Sequence, residues 1–500
     1  MKYMNMKRKI TGIMVITAII LTLLSSCGGA EDNTSATTGD TTPFLSETES
    51  AQAQSELIEN KTRGDLSDAD FGGRDFNVLI RSHNHSYAQF VAEEQNGEPF
   101  NDAMYLRNRI IEDKYNIKIK QTVKDDPAAD AQKSIMANDG AYDFIVEQIR
   151  RINSLATSRL LFDLYTVPYI RDNLENEWWD QALSRDLAIN GELYFQTGDI
   201  VVFDKLRLGV MYFNKGMCRS LGIDEPYKYV RDGTWTLGKL VEMTKEINKD
   251  LDGDGEMGQY DRWGLMSQWE GALHLFISSG EKMIGLNKDG VPELTFDTPR
   301  ALQVIDKIFS VALDGETMFM IDTIKNPKTE NIWTEASAFF MEDRFLLRTS
   351  VLEPAVRDMR GMDTDFGLLP IAKYDEAQKD YYTFVESSGY AVGIPVTADA
   401  EYSGLITEEL AYKSASLLMP AFYDLCLTSK ILRDDDSEEM LDIIFKNKIY
   451  DIGYLFNINK LPTLLRDMAQ NKTPNFASKF DAIKPSVELD LEKFYGQYQN

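Results

Sequence analysis

Asp250, Asp252 and Asp254 stand at alternate positions, and Gly255 follows directly. In the run Asp250 to Asp261 these aspartates fill positions 1, 3 and 5 of a calcium loop. Gly255 then falls at position 6, where such a loop turns sharply, and Glu256 at position 7 would offer its backbone carbonyl. Carboxylates on alternate residues of a curling loop converge on one point, and a hard cation such as calcium takes oxygen ligands. Asp261 falls at position 12, where the longer glutamate ordinarily brings both oxygens to the ion. The alternative is a solvated Asp/Gly turn without an ion. Trp263-Gly264 follows at once and no second loop appears, so the spacing points to a structural clip rather than a paired sensor. His83 and His85 have a ligand-like spacing, but no third His or Cys lies near them, so zinc is not expected. The chain has no Gly-Xaa-Ser-Xaa-Gly elbow, no His-Glu-Xaa-Xaa-His and no P-loop. With 80 acidic residues, chance carboxylate pairs are unavoidable. Nothing singles out the placed pair that a glycosidase needs, so catalysis is not expected.

The elements that would position these groups alternate between strand and helix. Phe76-Asn77-Val78-Leu79-Ile80 reads as a buried strand. Asn101 to Tyr115 reads as a helix, Ile117 to Ile119 as a strand, Ala128 to Asn138 as a helix and Tyr142 to Val146 as a strand. Such alternation gives an α/β sheet with helical crossovers. A short helix is expected at Leu155–Leu161 and strands at Gly191–Phe195 and Leu208–Phe213. A helix from Trp235 to Ile247 has Thr234 or Thr236 as its cap. Further helices are expected at Leu273–Ile277, Pro299–Leu313 and Thr334–Asp343. Strands are expected at Phe366–Pro370 and Gly389–Pro395, and mostly helix from Ile406 onward.

The N-terminus reads as an export signal. Lys2, Lys7, Arg8 and Lys9 precede an apolar run from Ile10 to Leu24, and Leu24-Ser25-Ser26-Cys27 closes it. The run is short for a membrane span, which takes about 20 apolar residues. The Leu-Ser-Ser-Cys pattern resembles a bacterial lipobox, which implies a palmitate-type acyl anchor on Cys27. Residues 28–69 are Ser/Thr/acidic and nearly free of aromatics; they read as a tether unable to bury enough apolar surface to fold. The chain carries 53 basic and 80 acidic residues, a net charge of −27, which argues against nucleic acid as a partner. Beyond Cys27 only Cys218 and Cys426 remain, both among apolar neighbours, and they read as two buried free thiols.

Residues 70–500 exceed the ~100–200 residues of one ordinary domain. Several stretches, in order, resemble one family: Tyr142-Asp143-Phe144-Ile145-Val146, Leu160-Leu161-Phe162-Asp163-Leu164, Met211-Tyr212-Phe213-Asn214-Lys215 with Leu221-Gly222-Ile223 and Pro226, Thr234-Trp235-Thr236, and Gly367-Leu368-Leu369-Pro370. Over residues 70–450 the chain resembles the lipid-anchored extracellular solute-binding proteins of ABC importers, in the family 1 sugar-binding type that includes maltose-binding protein. The body is larger than a compact sugar-binding protein, and the segment after Leu410 extends beyond the usual length. The resemblance implies an α/β, two-lobed periplasmic-binding-protein-like fold (type II) with an interlobe cleft and discontinuous lobes. The expected organisation is a signal peptide at 1–27 and a tether at 28–69. A first α/β lobe takes 70–190 plus 371–430, and a second, mainly helical α/β lobe takes 191–370 plus 431–500.

The function this implies is extracytoplasmic capture of a carbohydrate, an oligosaccharide by the size and aromatic content of the chain. Delivery would be to ABC permease subunits by a monomer anchored to the bacterial cell membrane. A peptide or other small solute is the alternative ligand, and a surface glycoside hydrolase a further one. Sugar recognition needs flat apolar faces together with polar groups for hydroxyls. The expected ligand-binding residues are therefore His83 and Asn84 after the opening strand, Trp269 and Glu270 in the second lobe, Trp333 before a helix, and Tyr390. The expected metal ligands are Asp250, Asp252, Asp254, Glu256 and Asp261.

Overall fold

The computed structural model describes residues 66, 68–83, 85–312, 318–428, 435–473 and 475–499. The signal peptide with Cys27, almost all of the tether, and Asn84 lie outside the described residues. Thirteen strands are described: β1 (Arg74–Arg81), β2 (Ile117–Lys124), β3 (Phe144–Gln148), β4 (Gly209–Asn214), β5 (Trp263–Ser267), β6 (Ile284–Leu286), β7 (Pro292–Leu294), β8 (Met318–Met320), β9 (Phe345–Val351), β10 (Phe366–Leu369), β11 (Thr383–Phe384), β12 (Tyr390–Gly393) and β13 (Lys448–Ile449). They build a mixed α/β body with two principal sheets. The first has the order β12-β3-β1-β2 and the second β10-β4-β9-β5-β8. No described helix is long and apolar enough to cross a membrane.

In the first sheet β1 runs parallel to β2 and β3, with Val78 opposite both Gln121 and Phe144. Parallel strands need crossovers, and helices Pro99–Tyr115 and Pro127–Ala137 supply them. Each begins on a proline, whose missing N–H costs nothing there, and each ends on an asparagine in the left-handed region, Asn116 at φ 48° and Asn138 at φ 53°. β12 returns from far along the chain and pairs antiparallel with β3, Tyr390 opposite Gln148. In the second sheet β5 is parallel to β8 and β9, while β4 is antiparallel to β9 and β10.

The strands expected at 76–80, 142–146, 208–213, 366–370 and 389–395 are present, shifted by a few residues at their ends. The segment 191–195 is not a strand. Asn190 and Gly191 have φ of 55° and 75°, a turn that leaves only the isolated bridges Ile189–Glu192 and Gln196–Val392. The helix expected at 155–161 instead spans Ile149–Thr157. Its buried Ile149, Ile152, Leu155 and Ala156 share one face, and Arg159, at φ 56°, turns the chain away. Thr236, rather than Thr234, caps the helix Leu237–Thr244 by accepting from the Lys239 N–H at 3.3 Å. Cys218 and Cys426 are both buried and neither is in a disulfide, and burial pushes the Cys218 thiol up to about 12.

Candidate functional site

A cavity of about 760 Å³ is lined by elements of both principal sheets. Gln148 ends β3, Ser350 and Val351 end β9, and Gln268 directly follows β5. The cavity thus lies beyond the carboxyl ends of parallel strands in both sheets, the place where open α/β sheets leave a crevice. Ser387 and Ser388, just before the antiparallel β12, close the same side.

Two of the expected residues meet here. Trp333 lines the cavity and is 41% exposed. It occupies the first turn of helix Ile332–Met341, where the Asn331 side chain accepts from the N–H groups of Trp333 (2.9 Å) and Thr334 (3.0 Å). This cap fixes the backbone that carries the indole. Glu270 also lines the cavity, 3.8 Å from the Arg466 guanidinium. Burial raises its carboxyl above the ordinary value, and the nearby Asp322 adds to the rise.

The other expected residues lie elsewhere. Trp269, adjacent in sequence to Glu270, faces a separate hollow of about 600 Å³ shared with Asp252, Asp254 and Tyr260. Its backbone N–H donates to Asp322 at 2.8 Å. Tyr390 is buried on the first sheet, its ring 4.5 Å from that of Phe203, and its hydroxyl has no hydrogen-bond partner. His83 packs edge-on to Phe203 at 4.6 Å. Burial pulls its imidazole down to about 4, against the pull of Glu353. Nearby, the Tyr87 hydroxyl donates to Glu353 at 3.3 Å, joining the loop after β1 to the short helix after β9.

Most of the charged lining was not foreseen from the sequence. Arg207 pairs with Glu353 at 3.0 Å and lies 3.7 Å from Glu386, while Arg357 stands 3.5 Å from Glu353. Ser388 donates both its hydroxyl and its backbone N–H to Glu386. Arg348 is buried on β9, and one nitrogen of it donates to Ser337 at 2.9 Å. Burial draws the Arg348 guanidinium down to about 10. These residues run from Arg207 to Ser388, and apart from Glu353 with Arg357 and Glu386 with Ser388 no local spacing links them.

His274 also lines the cavity, stacked on Phe384 at 4.2 Å, with Nδ1 unpartnered. Burial pulls it down to about 3. A histidine in the unfolded chain titrates near 6.5. The folded value is depressed, so the unfolded chain binds the extra proton between these two values. The stability is therefore complete above ~6.5 and is lost as pH falls toward the folded value. At pH ~4.5 the loss from this group alone should be about 2–3 kcal/mol. In urea melts at neutral and acid pH, His274→Phe should flatten the pH dependence by that amount. An unchanged slope would show that His274 is not the group responsible.

The acidic loop gathers as its spacing suggested. Oxygens of Asp250, Asp252 and Asp254 lie within 4.8 Å of one another. Gly253 and Gly255 adopt φ of 75° and 84°, a region glycine enters without strain. Asp250 accepts from the N–H groups of Gly253 (2.6 Å) and Gly255 (3.0 Å). Asp261 is buried behind the loop, and its two oxygens accept from Leu251 (2.8 Å) and Gly258 (2.6 Å). Burial works to raise its carboxyl, but these donors outweigh it and hold the group below the usual value. Glu256 is exposed, and its backbone N–H donates to Asp254 at 2.8 Å. Three clustered carboxylates fit a divalent cation, with Asp261 bracing the loop from within.

No family model matches this sequence, and no curated protein matches it significantly. Solved structures do match. A cyclo/maltodextrin-binding protein complexed with maltotetraose aligns over 88% of this chain and 98% of its own, with TM-score 0.53 and 15% identity. UspC of M. tuberculosis aligns over 83% and 100%, with TM-score 0.53 and 14% identity. A sugar transporter from Rhizobium etli in an open conformation aligns over 85% and 99%, with TM-score 0.53 and 11% identity. At these identities the likeness is one of fold: the described body shares its mixed α/β architecture with these proteins.

Proposed function

We propose that this protein captures a carbohydrate outside the cytoplasm and delivers it to an ABC-type permease. The observation that carries this reading is the cavity beyond the carboxyl ends of both sheets. It offers an exposed indole, Trp333, beside polar and charged groups able to meet hydroxyls. The shared fold supports the reading, since the matched structures include a maltodextrin-binding protein holding maltotetraose. The family 1, type II assignment and the two discontinuous lobes belong to the same proposal. They are supported by β12 in the first sheet and by packing of helix Asp435–Lys446 against β10 of the second. Calorimetry against mono- and oligosaccharides tests it, with Trp333→Ala expected to weaken saccharide binding about tenfold through lost ring stacking. Binding of peptides alone would replace this reading with the peptide one. Incubated sugar should be recovered intact, since no catalysis is proposed. The Cys27 anchor is part of the proposal, and mass spectrometry of the membrane-extracted protein should find an acylated Cys27 as its first residue.

The aspartate loop is proposed as a structural calcium site formed by Asp250, Asp252 and Asp254. A cation bound only by the folded state stabilises it by mass action, about 2.7 kcal/mol at a hundredfold excess over Kd. Chelation should therefore lower the melting temperature, by roughly 1 °C for each kcal/mol withdrawn from a body of this size. Asp252→Ala should abolish the response, and the titration must reach ~1 mM, because extracellular calcium modules bind weakly. A melting temperature indifferent to calcium across that range would leave an Asp/Gly turn that binds no ion.

A further inference from the structure

The cavity reverses the charge balance of the chain. Acidic residues outnumber basic ones 80 to 53 overall, yet five arginines and three glutamates line this cavity, with no lysine and no aspartate. The three glutamates are already engaged. Glu353 serves Arg207 and Arg357, Glu386 lies beside Arg207, and Glu270 lies beside Arg466. Among the described residues, Arg150 and Arg348 have no carboxylate within ion-pair distance, and the Arg150 side chain bonds its neighbour Gln148 at 3.1 Å. The Nε of Arg207 is buried with no partner. The buried guanidinium of Arg348 is costly unless an anion meets it, while exposed Arg150 stays hydrated and able to reach one at the cavity edge. Their planar donor fork matches a carboxylate with two parallel bonds, a match that the point charge of lysine does not offer.

Building on the saccharide reading, we infer that the ligand is an acidic saccharide, an oligosaccharide of uronate units whose carboxylates are met by Arg150 and Arg348. Hydroxyls of the same sugar would meet Asn331, Ser387 and Ser388, and a ring face would lie on Trp333. Arg150 comes from the first-sheet side and Arg348 from the second-sheet strand β9, so one bound anionic chain would bridge both.

The test is calorimetry on the full chain with three probes of equal length: a neutral oligoglucoside, an oligogalacturonide and a sulfated oligosaccharide. The oligogalacturonide should bind at least about tenfold more tightly than the neutral probe, as for a charge-assisted contact, and should lose affinity when salt is raised about tenfold. Arg150→Gln, at an exposed position that folding does not depend on, should cut the acidic-over-neutral preference by about tenfold. Arg348→Gln should do the same, with its folding checked by its melting curve because the site is buried. Equal or tighter binding of the neutral probe overturns this inference and leaves carbohydrate capture standing. So does an acidic preference untouched by Arg150→Gln, or binding of the sulfated probe alone. Failure of all three probes, with peptides bound instead, overturns the saccharide reading itself.

Discussion

Asp180→Ala should destabilise the folded chain by about 3–5 kcal/mol, the usual cost of removing one partner from a buried ion pair. Asp180 is buried, and one carboxylate oxygen pairs with the Lys448 ammonium and accepts from the Tyr450 hydroxyl at 2.8 Å. The other caps helix Gln181–Leu187 by accepting from Ala182 (2.9 Å) and Leu183 (3.3 Å). The substitution thus strands a buried cation, a phenol and a helix N-terminus together. Burial alone would raise the Asp180 carboxyl, but Lys448 and the hydrogen bonds overcome it and hold the group below its usual value. A depressed carboxylate contributes stability that is present above the unfolded value, near 3.9, and is lost as pH falls through the folded value. The deficit of the variant should therefore be full at neutral pH and shrink below pH ~4. The double variant Asp180→Ala/Lys448→Met should recover part of the loss by removing the stranded charge. Urea melts of the four proteins complete the cycle, and a double variant no more stable than Asp180→Ala would deny the pairing its part.

Trp235→Ala should cost about 3–5 kcal/mol, the range for truncating a large buried aromatic. Trp235 is fully buried, and its Nε1 donates to the Pro370 carbonyl at 3.0 Å. Its backbone lies in a small lattice: the Trp235 carbonyl accepts from Lys373 at 3.1 Å, and Leu237 donates to the Lys373 carbonyl at 2.7 Å. The indole thus ties the start of helix Leu237–Thr244 to the segment leaving β10. Trp235→Phe should lose the hydrogen bond and some volume, and so cost less than the alanine variant. Thermal melts separate the two, and a loss under about 1 kcal/mol for alanine would show that this site relaxes to fill the void.

Features whose cause is local were legible in the sequence. Short, nearly continuous buried apolar runs make β1 and β3 strands, prolines and asparagines bound the first two helices, and Asp-Xaa-Asp-Xaa-Asp-Gly curls into a loop that gathers three carboxylates. Local reading failed where a turn overrode composition, as at Asn190 and Gly191, whose positive φ values break an otherwise strand-like run. It also placed Trp269 and Glu270 together because they are neighbours, whereas the start of helix Gly271–Ser278 sends them to different cavities. Tertiary structure alone decided the cavity. Arg150, Arg207, Arg348, Arg357 and Arg466 come from separate elements, and tertiary packing, including the pairing of β12 with β3 and of β9 between β4 and β5, brings them to one space. A net charge sums over the whole chain and carries no position. An acidic sequence can therefore fold around a basic cavity, and only the packing of distant strands reveals it.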